Sequence, residues 1–272
     1  MSAPDISIVV PCYNQAEYLS EAIQSVTHQT NQNWECIIVN DGSTDGTAAV
    51  ASEWADKDNR IKLLQIENGG LSNARNKGIE MARGDFILPL DADDKIGPEY
   101  IEHAIQQFTA TPDLCLVYSK AEKFGSESGP WVLPEFSLFD LAQGNIIFCS
   151  SVFRKEDWAR IGGYDSAMIY GLEDWEFNIN LLKDGGGVVR LDYVGFFYRI
   201  KERSMITELS EERDRQMKDH ISIKHADFFV SQVGNFLELL DKNKRANQRI
   251  KSLYTDRKNA IKALLGINVR TK

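Results

Sequence analysis

Phe86-Ile87-Leu88-Pro89-Leu90-Asp91-Ala92-Asp93-Asp94 decides the fold: five apolar residues stop abruptly, and three carboxylates follow within four positions. A short apolar run bounded in this way reads as a strand buried on both faces, as in parallel sheets covered by helices. The pattern recurs upstream, where Ile6–Val10 runs into Pro11-Cys12-Tyr13-Asn14 and Glu35–Val39 runs into Asn40-Asp41-Gly42-Ser43. Further strands are expected at Lys62–Ile66 and Leu114–Tyr118. Helical spacing fills the gaps: Leu19, Ala22, Ile23 and Val26, then Ala48, Val50, Ala51 and Trp54, then Ile101, Ala104, Ile105 and Phe108. Pro98 reads as a first-turn residue of the last of these helices. The alternation predicts an α/β fold with a mostly parallel sheet and helices on both faces. Ligands of such sheets bind beyond the carboxyl ends of the strands. Three strand ends are thus expected to converge on one acidic, amide-bearing rim.

Beyond about residue 121 the rhythm breaks into glycine-rich turns. Strands are expected around Ile146–Phe153, Val188–Val194 and Phe196–Ile200, with a helix from about Glu173 to Lys183. From about Ser210 the sequence reads as long helices. Residues 241–272 carry ten Lys and Arg against Asp241 and Asp256, a local balance of +8 that leaves −17 on the rest of the chain. Ile250, Leu253, Tyr254, Ile261, Leu264 and Leu265 fall near one helical face. A basic amphipathic helix of this kind suits an anionic membrane surface, a hairpin packed on the acidic body, or a dimer.

The 272 residues are 43% apolar and 26% charged, which excludes disordered and collagen-like classes. With 31 Lys and Arg against 40 Asp and Glu, the net charge of −9 argues against a nucleic-acid binder and suits a body that neutralises its own site with a metal. Cys12, Cys36, Cys115 and Cys149 are widely spaced, form no Cys-x-x-Cys pair, and fit a reducing, cytoplasmic setting. The N-terminus leads straight into a strand, so neither a signal peptide nor a membrane span is expected.

Asp91 and Asp93 at a strand end offer two hard oxygen ligands to Mg²⁺ or Mn²⁺. Taken alone, they could equally cap a helix or sit solvated. A phosphatase of the haloacid dehalogenase type also places Asp-x-Asp after a strand, but the residues after it, Asp94-Lys95-Ile96, do not suit that chemistry. Neither Gly-x-Gly-x-x-Gly after the first strand nor a phosphate-binding Gly-x4-Gly-Lys-Ser/Thr occurs, and Gly185-Gly186-Gly187 reads as a late turn. His28, His103, His220 and His225 are dispersed and read as structural or solvent-facing.

Over about residues 5–205 the sequence resembles glycosyltransferase family 2, which has the Rossmann-like GT-A fold. The resemblance rests on Val10-Pro11-Cys12-Tyr13-Asn14, Val39-Asn40-Asp41-Gly42-Ser43-Thr44-Asp45 and Asn68 through Asn76. It continues with Asp91-Ala92-Asp93-Asp94, Gly162-Gly163-Tyr164-Asp165, Glu173-Asp174, and Tyr198-Arg199 followed by Ser204-Met205. It implies a catalytic domain over 1–208, with a nucleotide-binding half to about 120 and an acceptor-side half beyond it. A helical extension then covers 209–272.

The resemblance implies a metal-dependent, inverting transfer of one sugar from a nucleotide-diphosphate sugar, in the first instance UDP-linked, to a hydroxyl of a glycan or lipid-linked acceptor. Surface polysaccharide synthesis at the inner face of the cell membrane is the implied setting. Pro11, Tyr13, Asn14, Asp41, Arg75, Asp91, Arg199 and Ser204 are the implied nucleotide-binding residues, with Asp41 accepting from the base. Asp93, with Asp91, would hold Mn²⁺ or Mg²⁺ against the departing diphosphate. Asp174 is the implied general base, kept ionised by the N-terminus of its helix. Glu173, Trp175 and Tyr170, together with Trp131, are candidates for acceptor contact. The Gln-x-x-Arg-Trp of processive synthases is missing, since no Trp follows Trp175. The rival readings are a nucleotidyl or phosphoryl enzyme and a catalytically silent sugar-nucleotide-binding scaffold, and the oligomeric state is open.

Overall fold

The computed structural model describes residues 3–201 and 210–264. Its elements run β1 (Ile6–Cys12), α1 (Leu19–Thr27), β2 (Trp34–Asp41), α2 (Thr47–Lys57), β3 (Ile61–Ile66), α3 (Leu71–Met81), β4 (Phe86–Pro89), β5 (Lys95–Ile96), α4 (Tyr100–Ala110) and β6 (Leu114–Gly125). They continue with β7 (Gly129–Trp131), α5 (Leu138–Gln143), β8 (Val152–Arg154), α6 (Lys155–Ile161), α7 (Glu173–Leu182), β9 (Gly187–Ile200), α8 (Glu211–Lys224), α9 (Ala226–Val233) and α10 (Phe236–Leu264). The strands form one sheet in the order β3-β2-β1-β4-β8-β6-β9-β5, with β7 on β6.

β1 is buried at every position because alternate side chains serve different helical layers. Ile6, Ile8, Val10 and Cys12 pack with Leu19, Ile23 and Val26 of α1 and with Ile101, Ala104 and Phe108 of α4. On the opposite face, Val9 and Val39 meet α3 at Gly78, where an added Cβ would lie 2.4 Å from the Val9 side chain and 2.9 Å from that of Val39. Helices therefore cover both faces, as the apolar runs predict.

The sheet is parallel from β3 through β4, and β8 then enters antiparallel to both β4 and β6. The strand expected at Ile146–Phe153 is confined to β8, because the chain before it is irregular while it passes the carboxyl rim. The two strands expected near 188–200 are one, β9, whose pairing with β6 shifts register between Ser119 and Ala121 and so takes up Gly195 within the strand. Pro98 precedes the Glu99 cap of α4 rather than occupying its first turn. α3 has no apolar stripe to announce it, since it buries Ser72, Arg75 and Gly78 beside Ala74 and Ile79.

The chain divides into two compact units, Met1–His225 and Ala226–Lys272. The domain boundary expected at residue 208 falls outside the described residues. α8 belongs to the first unit, where buried His225 Nε2 lies 2.6 Å from Glu176 Oε1 and Lys224 pairs with Glu176 at 2.9 Å and Asp165 at 2.7 Å. In the second unit, α10 exposes Leu237, Ile250, Leu253 and Tyr254 among its charges. No helix among the described residues is long and apolar enough to cross a membrane.

The contact at Gly78 sets an expectation for packing. Gly78→Ala is expected to lower stability by about 1–3 kcal/mol through overpacking against Val9 and Val39, read as an earlier urea midpoint with an unchanged slope.

Candidate active site

The loops that follow β1 and β2 hold each other. Asn14, in the left-handed region at φ 54°, accepts the Thr44 N–H at 2.8 Å and donates its own N–H to Ser43 Oγ at 3.0 Å. Asp45 accepts from Ala16 N–H at 3.2 Å and from Thr47 N–H at 2.9 Å. Tyr13 stands half exposed on this platform. Pro11 is buried in β1 opposite Val39, so it shapes the strand end and does not itself line the rim.

Asp41 is buried, and each carboxylate oxygen accepts a backbone N–H, from Gly69 at 2.8 Å and from Gly70 at 2.9 Å. Gly70 stands at φ +85°, a conformation that a side chain would strain, and it opens α3. Asp41 thus shapes the loop beneath the rim, with one lone pair of each oxygen taken by the backbone.

Arg75 departs furthest from expectation. Its side chain is fully buried, and its partners are carboxylates of the protein itself. Nη2 donates to Asp91 Oδ1 at 2.7 Å and Nη1 to Glu173 Oε1 at 2.5 Å, while the guanidinium lies 5.3 Å from the Tyr164 ring centre. Burial works against its charge, but Asp91 and Glu173 outweigh that and hold it firmly cationic. One side chain on α3 therefore ties the carboxylate after β4 to the first residue of α7. The neighbouring Asn76 adds a second tie, accepting from Tyr164 N–H at 2.9 Å and donating to Tyr164 O at 2.8 Å.

The carboxylates after β4 take different partners. Asp91 Oδ2 accepts from the Cys149 thiol at 3.5 Å, and Asp93 Oδ2 lies 2.5 Å from Lys201 Nζ. Asp94 is buried; Oδ1 accepts the Arg199 N–H at 2.8 Å, and Oδ2 has no partner among the described residues. Ligand atoms of Asp91, Asp94 and Cys149 lie within 4.8 Å of one another, so Asp94 joins Asp91 as a candidate ligand beside the expected Asp93. The oxygens and the orphaned Asp94 atom fit a hard divalent cation. The Cys149 thiol does not, because burial and Asp91 push its ionisation well up and keep it neutral.

Arg199 also has a bracing role. Its Nε donates to Asp93 O at 2.7 Å, its guanidinium pairs with Glu21, and it lies over Phe124 and Tyr18. This position braces the Asp93 backbone against α1. Ser204 lies outside the described residues.

On the acceptor side, α7 begins after Leu172, itself in the left-handed region at φ 63°. Asp174 Oδ2 accepts from Asn145 Nδ2 at 2.8 Å and Oδ1 from the Trp175 N–H at 2.8 Å. Its pKa is pushed up to about 7, first by burial and then by the charge of Glu173, against the opposing Arg75, Asn145 and Trp175 N–H. This corrects the expectation that the helix N-terminus keeps it fully ionised. Glu173 is committed to Arg75. Trp175 is buried with its indole N–H on Leu141 O at 2.8 Å, so it packs α7 against α5. Trp131 packs on Phe148 and Tyr198, and Tyr170 lies half-buried beneath Arg213. His220, expected to be structural or solvent-facing, hydrogen-bonds Asp165 at 2.9 Å. Asn145, Cys149 and Lys201 join the site without having been marked in the sequence.

Residues 7–169 match the model of the family described as glycosyl transferase family 2, and residues 139–203 match one described as the N-terminal domain of galactosyltransferase. The chain is 43% identical over 122 residues to the putative glycosyltransferase EpsH of Bacillus subtilis, covering 45% of this chain and 36% of that one. It is 28% identical over 186 residues to the chondroitin synthase of Pasteurella multocida, covering 67% of this chain and 19% of that one. This chain thus spans about a third or less of the length of these relatives. Among solved structures, S. aureus TarS 1-349 in complex with UDP-GlcNAc superposes with a TM-score of 0.68 at 21% identity, over 80% of this chain and 66% of that one. The architecture is that of the GT-A glycosyltransferases.

The Arg75 bridge is open to a direct test. Arg75→Leu leaves buried Glu173 and part-buried Asp91 without their cation and is expected to cost about 3–5 kcal/mol, measured by urea unfolding at neutral pH.

Proposed function

We propose that this chain, which belongs to glycosyl transferase family 2, moves a single sugar from a nucleotide-diphosphate sugar to a hydroxyl with inversion at the anomeric carbon. The observation that carries the reading is Asp174. It is a carboxylate tuned to about 7, joined through Glu173 and Arg75 to the carboxylate cluster that follows β4. A group that titrates near neutrality is suited to remove a proton from a hydroxyl in the transition state. The acceptor oxygen forms its bond to the anomeric carbon as its proton passes to Asp174, and the bond from that carbon to the diphosphate breaks. A single base implies a single displacement.

Tyr13 and Asn14 form the exposed shelf for the nucleoside, above the turn that Asp41 holds. Asp91 and Asp93, with the unpartnered oxygen of Asp94 behind them, would hold Mn²⁺ or Mg²⁺, which supplies positive charge to the departing diphosphate when bound. A UDP-linked donor is supported by the TarS complex with UDP-GlcNAc, which shares the fold. A glycan acceptor in polysaccharide synthesis is supported by the chondroitin synthase relative. The basic, apolar-faced α10 supports work on a lipid-linked acceptor beside an anionic membrane.

Thermal unfolding with UDP, GDP, TDP or ADP, each with and without Mn²⁺, tests the donor site. UDP with Mn²⁺ is expected to raise the midpoint by several degrees in the native chain and not in Asp93→Ala, since only a ligand of the folded state stabilises it. Asp174→Asn is expected to keep that shift and lose about 10²–10⁴-fold in transfer from the UDP-sugar that proves active. Transfer by the native chain is expected to fall as pH drops below about 7, because the protonated acid cannot accept a proton. Flotation with phosphatidylglycerol vesicles is expected to carry the native chain and to fail for Lys244→Glu combined with Lys251→Glu and Lys258→Glu. Neutral phosphatidylcholine vesicles are expected to carry neither.

A further inference from the structure

We propose that Asn145 is a positioning residue that clamps the Asp174 carboxylate in the orientation its role as general base requires. The inference rests on that reading of Asp174 and deepens it.

Asn145 follows α5 and Gly144 on the irregular stretch that passes the start of α7. Its Nδ2 donates to Asp174 Oδ2 at 2.8 Å, and its Oδ1 receives the Ile147 N–H at 3.4 Å. The second contact fixes the orientation of the amide: turned over, it would set one oxygen against the carboxylate and leave an N–H₂ facing an N–H. With Asp174 Oδ1 on the Trp175 N–H, each carboxylate oxygen has one donor, and rotation about the carboxylate bond would break both hydrogen bonds. Each oxygen still keeps a lone pair for an incoming proton.

The support for Asn145 is itself anchored. The Trp175 indole N–H holds Leu141 O of α5 at 2.8 Å, and Ile146 and Ile147 are buried directly after Asn145. The donor therefore sits on a segment braced by a hydrogen bond to α7 before it and by buried apolar residues after it.

The charged and titratable groups around Asp174 are few. Glu173 on the same helix opposes its ionisation and Arg75 from α3 favours it, while Tyr164 and Cys149 stay neutral because burial pushes their ionisation well up. Among the described residues, Asn145 is the one side chain that donates a hydrogen bond to Asp174. A donor to the charged form favours that form, so its loss makes the carboxylate harder to ionise.

The test uses the full chain with ¹³Cγ-labelled aspartate. The Asp174 signal is identified by its absence from Asp174→Asn and followed by NMR from about pH 5 to 9, around the near-neutral midpoint. Asn145→Leu is expected to raise the midpoint by about one pH unit, the loss of one hydrogen bond to a charged group. Asn145→Asp, of the same shape, is expected to raise it further by placing a second carboxylate against the first. An unchanged midpoint in these variants overturns the inference, with the Asp isostere deciding if the Leu variant fails to fold. A separate arm tests the underlying reading: if Asp174→Asn releases UDP from UDP-GlcNAc in transfer as fast as the native chain, Asp174 is not the base, whatever the midpoints show.

Discussion

One buried guanidinium sets the terms for the rest of the site. Arg75 has no exposed surface and two charged partners, Asp91 after β4 and Glu173 at the start of α7. A charge in that position is tolerable only while both partners stay, and they stay only while α3, β4 and α7 keep their spacing. Arg75 reads as a candidate ligand in the sequence, yet in the fold it is a strut. Asn76 one position on clips the Tyr164 turn, and Tyr164 in turn stacks on Phe177 of α7 at 4.2 Å. The polar face of α3 is thus the seam that joins the carboxylate after β4 to the Tyr164 turn and the start of α7.

This seam explains how one group of carboxylates acquires different characters. Asp91 shares a cation, Asp93 borrows Lys201, Asp94 is walled in by the backbone of Arg199, and Asp174 is left with neutral donors and an unfriendly neighbour in Glu173. The same chemical group therefore faces a cation at Asp91 and at Asp93, is pushed well up by burial and by its acidic neighbours at Asp94, and stands near neutrality at Asp174. Desolvation and the sharing out of two arginines and a lysine are sufficient to produce the contrast.

The parallel half was legible in the sequence because its strands are continuous apolar runs ending in polar turns, a pattern with few alternative structures. The carboxylates after β4 and the Glu173-Asp174 pair were legible by type and position. What could not be read was which way each charge turns. Arg75, Arg199 and Asp41 carry the right chemistry for ligand binding, and tertiary contacts from α7, α1 and the Gly69–Gly70 loop recruit them inward. Trp175 was misplaced for a related reason: an amphipathic ring looks the same in sequence whether its N–H finds a sugar or Leu141 O. Asn145 leaves almost no trace, since a lone amide after a glycine is an ordinary turn until its partner 29 residues away is known.

Two residues other than glycine, among those described, hold a positive φ: Asn14 after β1 and Leu172 before α7. Asn accommodates that geometry, whereas Leu does so at a cost of about 1 kcal/mol or more, which the surrounding packing must absorb. Both flank the proposed cleft, so the least comfortable non-glycine backbone among the described residues lies beside the groups proposed to do the work. A sequence drifting toward maximal robustness would find relief at Leu172 in a glycine or an asparagine, and in taking it would loosen the turn that aims Asp174. Durability and aim are thus set against each other at that one position.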